Sequence, residues 1–216
     1  MAELQIIGGP QSNFVWATRI FCVEKGVPYQ HVTAMPHTPE VDAIHPFGKI
    51  PVMRHGDVTL CESRAIIGYI DRVFDGPSLM PRDPVAAAQV EQWVSMICTT
   101  IDPLWLRQYY AAYVLAVRGN RPIDRSMIEA AIPKMEPQFA IVDRALAKTG
   151  YLAGEGFTLA DAYLTPIVFY MSAVPESAAL MAKTSHLKPF LERQMARASV
   201  QQTKPQTLVH EMIGRH

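Results

Sequence analysis

The spacing of apolar residues changes near residue 80, and this change predicts two halves that are built differently. Before that point, short apolar runs of strand length alternate with segments of helical period. After it, apolar residues recur every three or four positions through long stretches. The segment 75–84 between the halves contains three prolines and a glycine, which is typical of a linker.

The first half predicts the order βαβ followed by ββα, which is the order of a thioredoxin-like domain. A buried strand over residues 4–7 ends at a glycine pair, and a helix over 14–25 ends at Gly26. A strand over 29–34 follows closely, and so short a crossover implies that the two strands are parallel. Residues 35–46 predict a loop with at most one helical turn. A hairpin and a third helix complete the half.

The second half predicts helices throughout. The pattern over 85–118 contains Pro103, which we expect to kink the helix. Asp124 is a suitable N-cap for the next helix. We expect the inner face of that helix to carry Ile128, Ile132, Met135, Phe139, Val142 and Leu146. Residues 159–171 are almost all apolar and predict a central, buried helix.

Thr158 and Asp161 have the spacing of a capping box at the start of that buried helix, with Asp in the position usually held by Glu. Unpaired N–H groups are costly where a helix is buried. We therefore assign this pair to folding and not to catalysis.

The expected domain organisation follows from these patterns. The last helix is predicted over 187–197, and the tail is expected to be loose. The predicted parts are a thioredoxin-like domain at 1–75, a linker at 76–84, an all-helical domain at 85–205 and a tail at 206–216.

The loop and hairpin after residue 46 predict a binding site for an extended peptide. Proline has no N–H and an accessible cis form, so the Ile50-Pro51 bond after Gly48 predicts a sharp, exposed bend. Such a bend leaves the N–H and C=O of Ile50 able to pair with a ligand strand. Ser63 is a suitable N-cap for the third helix, and the N–H groups of a helix start attract anions.

Charge and cysteine content narrow the functional classes. Lys plus Arg and Asp plus Glu both number 20, so the formal net charge is zero and predicts neither a nucleic-acid footprint nor an anionic-membrane surface. We expect no signal peptide, no membrane span and no metal site. The three cysteines are far apart and odd in number, which favours reduced thiols in the cytoplasm: Cys22, Cys61 and Cys98.

Two motifs together resemble those of the soluble glutathione transferases. Residues 46–51 are Pro-Phe-Gly-Lys-Ile-Pro, and residues 62–66 are Glu-Ser-Arg-Ala-Ile, in the order and at the distance found in that family. The resemblance covers the whole chain except the last few residues. Residues 12–20 are most similar to the serine-type branch, which includes the plant phi class and many bacterial members. They indicate a bacterial-type, phi-like chain.

The resemblance implies a cytoplasmic, detoxifying homodimer that uses glutathione as co-substrate and needs no metal. In the dimer, the third helix of one subunit would pack against the fourth of the other. The helical half would hold the pocket for a small electrophile, with Phe14, Tyr109 and Tyr113 as contacts.

The resemblance also implies how glutathione is held. Ile50, beside Pro51, would pair with the cysteinyl unit, and Lys49 with help from His37 would reach the glycyl carboxylate. Glu62 and Ser63 would hold the ammonium and carboxylate of the γ-glutamyl end. The implied glutathione-binding residues are Lys49, Ile50, Pro51, Glu62, Ser63 and His37.

Ser12 or Asn13 is the expected activating group. In serine-type members a hydroxyl at this turn donates a hydrogen bond to the glutathione sulfur. A free thiol with a pKa of about 8.5 is only about 3% thiolate at pH 7, and the thiolate is the nucleophile. From the residues alone, Ser12 is equally an ordinary helix cap, and Asn13 fits either role.

Two other functions fit the same sequence pattern. The first is a glutathione-dependent dehalogenase, isomerase or peroxidase on the same scaffold. The second is a binding protein without catalytic activity, against which the intact Ser12, Ile50-Pro51 and Glu62-Ser63 argue. The sequence does not identify the electrophile.

Overall fold

The computed structural model describes residues 3–205, and these form two compact units. Unit 1 comprises residues 3–79 together with 197–205, and unit 2 comprises residues 80–196. The loose tail expected for 206–216 lies outside the described residues.

Unit 1 contains a four-stranded sheet in the order β2-β1-β3-β4. Its first strands, β1 and β2, are parallel, whereas β3 pairs antiparallel with both β1 and β4. The predicted βαβ-ββα order is therefore confirmed. The elements of this unit are β1 (Leu4–Ile7), α1 (Asn13–Lys25), β2 (Gln30–Val32), α2 (Pro39–Asp42), β3 (Val52–His55), β4 (Val58–Cys61) and α3 (Ser63–Val73).

The C-terminal end of the described chain belongs to unit 1 and not, as expected, to the helical domain. After Arg197 the chain forms the helix α10 (Ala198–Thr203), which packs on α1. The buried indole of Trp16 donates its N–H to Thr203 Oγ1 at 2.9 Å, and Arg197 makes two hydrogen bonds to Glu24. A buried indole N–H needs an acceptor, and the partner that supplies it is about 190 residues away, so no local pattern reveals it.

Unit 2 is helical throughout, as predicted. Its central helix α7 is buried along all of its 13 residues, and it contacts α4 and α9. Within residues 3–205 no single helix is long and apolar enough to cross a membrane, although α7 and α8 together reach that composition across a bend of 117°. The helices of this unit are α4 (Pro84–Met96), α5 (Ala111–Gly119), α6 (Arg125–Leu146), α7 (Leu159–Met171), α8 (Pro175–Ala182) and α9 (Leu187–Met195).

Two π-helical segments, Ile97–Ile101 and Pro103–Tyr110, join α4 to α5 in one continuous helical stretch. Pro103 has no N–H to donate to the preceding turn, and the wider π turn is how the chain continues without that bond. The same widening allows Asp102 to accept two hydrogen bonds from Arg107, five residues later, at 2.9 and 3.1 Å. At Pro103, where we expected a kink, the chain thus forms π-helical turns in place of α-helical ones.

The caps follow the sequence prediction at three helices and depart from it at a fourth. Ser12, Asp124 and the Thr158–Asp161 capping box begin α1, α6 and α7 as expected. The N-cap of α3 is Glu62, whereas Ser63 is its first helical residue. The cap prediction for Ser63 was therefore wrong by one position.

A single carboxylate on α8 connects three other helical segments of unit 2. Glu176 accepts hydrogen bonds from the hydroxyls of Tyr109, at 3.0 Å, and Tyr113, and it pairs with Arg125 at 2.8 Å. Burial opposes ionisation of this carboxyl, but the bonds from Tyr113, Tyr109 and Arg125 outweigh it and lower the pKa of Glu176. We call these four residues the Glu176 cluster.

We expect Asp161→Ala to lower the free energy of unfolding by about 3 kcal/mol, since it removes a cap and leaves buried donors unpaired. The Asp161 carboxylate accepts the N–H groups of Leu152 and Thr158, both at 2.9 Å, and is fully buried. Urea titration at pH 8 measures this with the carboxylate ionised, because burial raises the pKa of Asp161 to about 6. The matched control is Asp83→Ala, which removes one exposed cap bond from α4 and should cost about 1 kcal/mol or less. Equal losses in both variants would contradict a special role for Asp161.

We expect Glu176→Gln to destabilise the protein by about 1–2 kcal/mol at pH 7. Because folding lowers the pKa of Glu176, its carboxylate stabilises the fold above the unfolded pKa near 4.5, and that stabilisation is lost as the pH falls. The difference in unfolding free energy between the wild type and the variant should therefore shrink between pH 6 and pH 3, an interval of about three units. Glu136→Gln is the control, because its pair with Lys183 is exposed and should contribute little at either pH.

Candidate functional site

Three chain segments meet at one edge of the sheet in unit 1. The antiparallel register pairs Ile7 with Val52 and Val52 with Cys61. One position further out, the chain reaches Gly8, Pro51 and Glu62. The end of β1, the start of β3 and the end of β4 therefore all open at the same edge.

Gly8 allows the first turn of α1 to approach Ile50 closely. A Cβ atom at Gly8 would lie 2.5 Å from Val15 Cγ2 and 3.1 Å from Ile50 Cβ. Any larger residue would force these segments apart. This close approach places the Ser12 turn next to the predicted peptide-binding bend.

Ser12 caps α1 with its side chain and retains a proton to donate. Its Oγ accepts the N–H of Val15 at 3.4 Å, and the residue is half-buried. A hydroxyl that accepts a hydrogen bond through a lone pair still has its own O–H available. Capping and donation to a ligand are therefore compatible at Ser12. Asn13, the other predicted candidate, is only 3% exposed.

The bend at residues 50 and 51 has the predicted form. The Ile50-Pro51 peptide bond is cis, and Ile50 is half-buried. Within residues 3–205 the N–H and C=O of Ile50 have no hydrogen-bond partner. This backbone edge can therefore pair with an extended peptide, as the sequence predicted.

Gly48 allows the His37 ring to approach the loop that precedes Ile50. Gly48 has φ +60°, and a Cβ there would lie 2.1 Å from the His37 ring and 2.7 Å from Asp42 Oδ1. The N–H of His37 donates to the Gly48 carbonyl at 3.0 Å. The His37 ring also lies 3.6 Å from the Asp42 carboxylate. Both His37 and Lys49, the residue after Gly48, are exposed.

Glu62 has an unusual backbone conformation at the start of α3. Its φ is +67°, which costs a residue with a Cβ on the order of 1–3 kcal/mol. The side chain is 70% exposed, while the neighbouring Ser63 is 8% exposed. The first N–H groups of a helix have no carbonyl one turn earlier to bind. A carboxylate and a helix start are thus presented side by side.

His45 is a residue of this site that the sequence did not single out. It is 3% exposed, and its Nε2 lies 3.5 Å from the Glu62 carboxylate. Its Nδ1 accepts the N–H of Phe47 at 3.1 Å. A histidine before Pro-Phe-Gly has no sequence signal that separates it from an ordinary loop residue. Only its burial in the fold reveals the contact.

Of the three residues predicted to contact the electrophile, Phe14 lies near Ser12, whereas Tyr109 and Tyr113 belong to the Glu176 cluster. Phe14 is half-buried in the first turn of α1, near Ser12. Tyr109 and Tyr113 are at most 2% exposed, and both hydroxyls bind Glu176. Tyr109 also accepts the N–H of Ser177 at 3.0 Å, and burial raises its pKa to about 12. As they stand, both tyrosines are structural members of the Glu176 cluster, and neither hydroxyl is available to a ligand.

Unit 2 has a surface pocket of about 240 Å³ that contains none of the predicted site residues. The pocket is lined by Ala112, Leu115, Arg121, Pro122, Asp124 and Met127.

Among residues 3–205, no cluster of three or more His, Cys, Asp or Glu side chains has an arrangement that could hold a metal ion.

Comparisons with known proteins agree with this geometry. Residues 7–78 match the family model of the glutathione S-transferase N-terminal domain, and residues 107–198 match the model of the C-terminal domain. Glutathione S-transferase 3 of Zea mays is 31% identical over 210 residues, which cover 94% of each chain.

Solved structures are similar over nearly the full length. Glutathione transferase F7 from Populus trichocarpa has a TM-score of 0.82 at 27% identity, covering 93% of this chain and 97% of that one. The theta class enzyme from Xanthomonas axonopodis pv. citri, solved with glutathione bound, has a TM-score of 0.80 at 25% identity, covering 97% and 100%. From its full-length similarity and its two matched domains, this chain belongs to the glutathione S-transferase family.

Proposed function

We propose that this protein conjugates the thiolate of reduced glutathione to small hydrophobic electrophiles, with glutathione bound at the sheet edge of unit 1. The observation that carries the proposal is the convergence of Ser12, the unpaired backbone of Ile50 and the start of α3 at that edge. Relatives named as glutathione transferases support the same activity.

The geometry fits each part of the tripeptide. Ile50 pairs through its N–H and C=O with the cysteinyl unit, as one strand pairs with another. The Glu62 carboxylate binds the γ-glutamyl ammonium, and Ser63 with the α3 start binds the adjacent carboxylate. Lys49 and His37 face the glycyl carboxylate at the other end of the peptide.

Ser12 acts on the sulfur by donating its O–H to the thiolate. This bond and the positive N-terminal end of α1 both favour the anion over the thiol. Lowering the thiol pKa by about two units would make most of the bound glutathione thiolate at pH 7, which corresponds to about 2.7 kcal/mol. Asn13 is the weaker candidate, because its burial within α1 leaves it less accessible than Ser12.

The finer classification rests on the relatives. We assign the chain to the serine-type, phi-like branch, because its similar proteins include a plant F-type transferase. The bacterial-type assignment is not retained, since the relatives that support the family are plant proteins.

We also place the protein in the cytoplasm. The rival dehalogenase, isomerase and peroxidase activities have no specific support in the site.

We expect Ser12→Ala to leave the Kd for glutathione nearly unchanged, because other residues hold the peptide. The pKa of the bound thiol should rise by about one to two units, equal to roughly 1.4–2.7 kcal/mol. Turnover at neutral pH should then fall by about one to two orders of magnitude and partly recover in alkali. Thiolate absorbance in the ultraviolet, followed against pH, measures the shift directly.

Two control variants complete the Ser12 experiment. Ser12→Thr keeps a hydroxyl and should retain most of the activity, whereas Asn13→Ala should leave the thiol pKa where it is. A shift in Asn13→Ala but not in Ser12→Ala would transfer the activating role to Asn13. A protein that binds glutathione and conjugates no chloronitrobenzene would be a binding protein and not an enzyme.

We further propose a homodimer in which α3 of one subunit packs against α4 of the other. Val73 on α3 is 47% exposed and Val85 on α4 is 67% exposed, so each helix has an apolar residue available for a partner. Light scattering at micromolar concentration should therefore give twice the chain mass of 24.1 kDa. The mass of a monomer would exclude this assembly.

A further inference from the structure

The buried His45 has a defined tautomer because of its contact with the following loop. Its Nδ1 accepts the N–H of Phe47, so this nitrogen must present a lone pair. The ring proton of the neutral imidazole is therefore on Nε2.

The Nε2–H side of the ring faces the carboxylate of Glu62, with 3.5 Å between Nε2 and Oε1. In the part of the chain that the structure describes, the Glu62 side chain has no other hydrogen-bond or ion-pair partner. Glu62 is mostly exposed, whereas His45 is almost fully buried. A fixed donor thus faces a side chain that would otherwise rotate freely in solvent.

His45 is itself held rigidly by the backbone around it. Its N–H donates to the Val41 carbonyl at 2.8 Å, and its carbonyl accepts the N–H of Gly48 at 2.9 Å. The residue therefore ties the loop that carries Lys49 and Ile50 to the start of α3. Movement of either segment would break a contact made by this single side chain.

We propose that His45 is a positioning residue that orients the Glu62 carboxylate toward the ammonium of the γ-glutamyl group. The inference rests on the proposed glutathione site and adds to it a specificity determinant. A single ring N–H suits this task, because it can fix one carboxylate oxygen and leave the other oxygen for the ammonium. Pre-organising the carboxylate reduces the entropy lost when the ligand binds.

The test uses two variants, each of which keeps only one of the two hydrogen-bonding functions of the imidazole ring. In His45→Asn the amide oxygen can replace Nδ1 as the acceptor for Phe47, but nothing replaces Nε2. In His45→Gln the longer amide can reach Glu62 in place of Nε2, while the acceptor for Phe47 is lost. The pair therefore separates the contact with Glu62 from the contact that supports the loop.

Calorimetry would measure the Kd of each variant for reduced glutathione and for glutaryl-cysteinyl-glycine, which lacks only the ammonium. His45→Asn should weaken glutathione binding about three- to tenfold, the range of one lost hydrogen bond. It should leave the Kd of the glutaryl peptide unchanged, since that peptide offers Glu62 nothing to bind. His45→Gln should keep most of the affinity for glutathione. The kcat at saturating glutathione should not change, because the thiol is activated at Ser12.

The double variant His45→Asn/Glu62→Gln decides whether His45 acts through Glu62. Once Glu62 is neutral, His45→Asn should cause no further loss of glutathione affinity. Equal weakening of both peptides by His45→Asn, or an unchanged affinity for glutathione, would overturn the positioning role. Failure of the proposed site looks different: in that case Glu62→Gln alone would leave glutathione binding intact, and the role of His45 would be excluded with it.

Discussion

The close approach of three backbone segments at Gly8 is the constraint on which the site depends. The glycine has no side chain, so the first turn of α1 and the bend at Ile50 come together at the end of β1. The antiparallel register then places Glu62 at the same edge, because β3 pairs with both β1 and β4. Sheet pairing, and not any one side chain, determines which functional groups become neighbours.

Several groups at this edge serve the fold and the chemistry at once. Ser12 uses a lone pair to cap α1 and keeps its proton for a ligand. Glu62 caps α3 in a conformation that is unfavourable for a residue with a Cβ. Strain of this kind persists where the surrounding structure imposes it, and such positions are concentrated at ligand sites. The strained backbone of Glu62 is therefore consistent with its proposed role, in which its carboxylate binds the ammonium of the ligand.

Unit 2 shows the opposite use of polar groups. Tyr109 and Tyr113 direct their hydroxyls to Glu176, and Arg125 completes the charge balance. Burying a phenol hydroxyl is costly unless it is paired, and the Glu176 cluster offsets that cost for Tyr109 and Tyr113. The family resemblance implied that these two tyrosines contact a ligand, but the carboxylate that binds their hydroxyls lies more than 60 residues further along the chain.

Features that depend on local chemistry could be predicted from the order of the amino acids alone. Apolar spacing gave the strand and helix order, and cap residues such as Asp124 and Asp161 marked helix starts correctly. The bend at Ile50-Pro51 was also predicted from local sequence, since turns need particular residue types at adjacent positions. Glu62 was named as a site residue through the family resemblance, and the local pattern placed the helix cap one residue later.

Features that depend on distant partners became visible only in the folded chain. The helix α10 returns to unit 1, where Thr203 accepts the indole N–H of Trp16 and Arg197 binds Glu24. A hairpin separates His45 from Glu62 in the sequence, and several helices separate Tyr109 from Glu176, which accepts its hydrogen bond. Local periodicity gives the face on which a side chain lies, but not the group it meets there. That group is set by packing, which brings together residues whose separation in sequence has no fixed period.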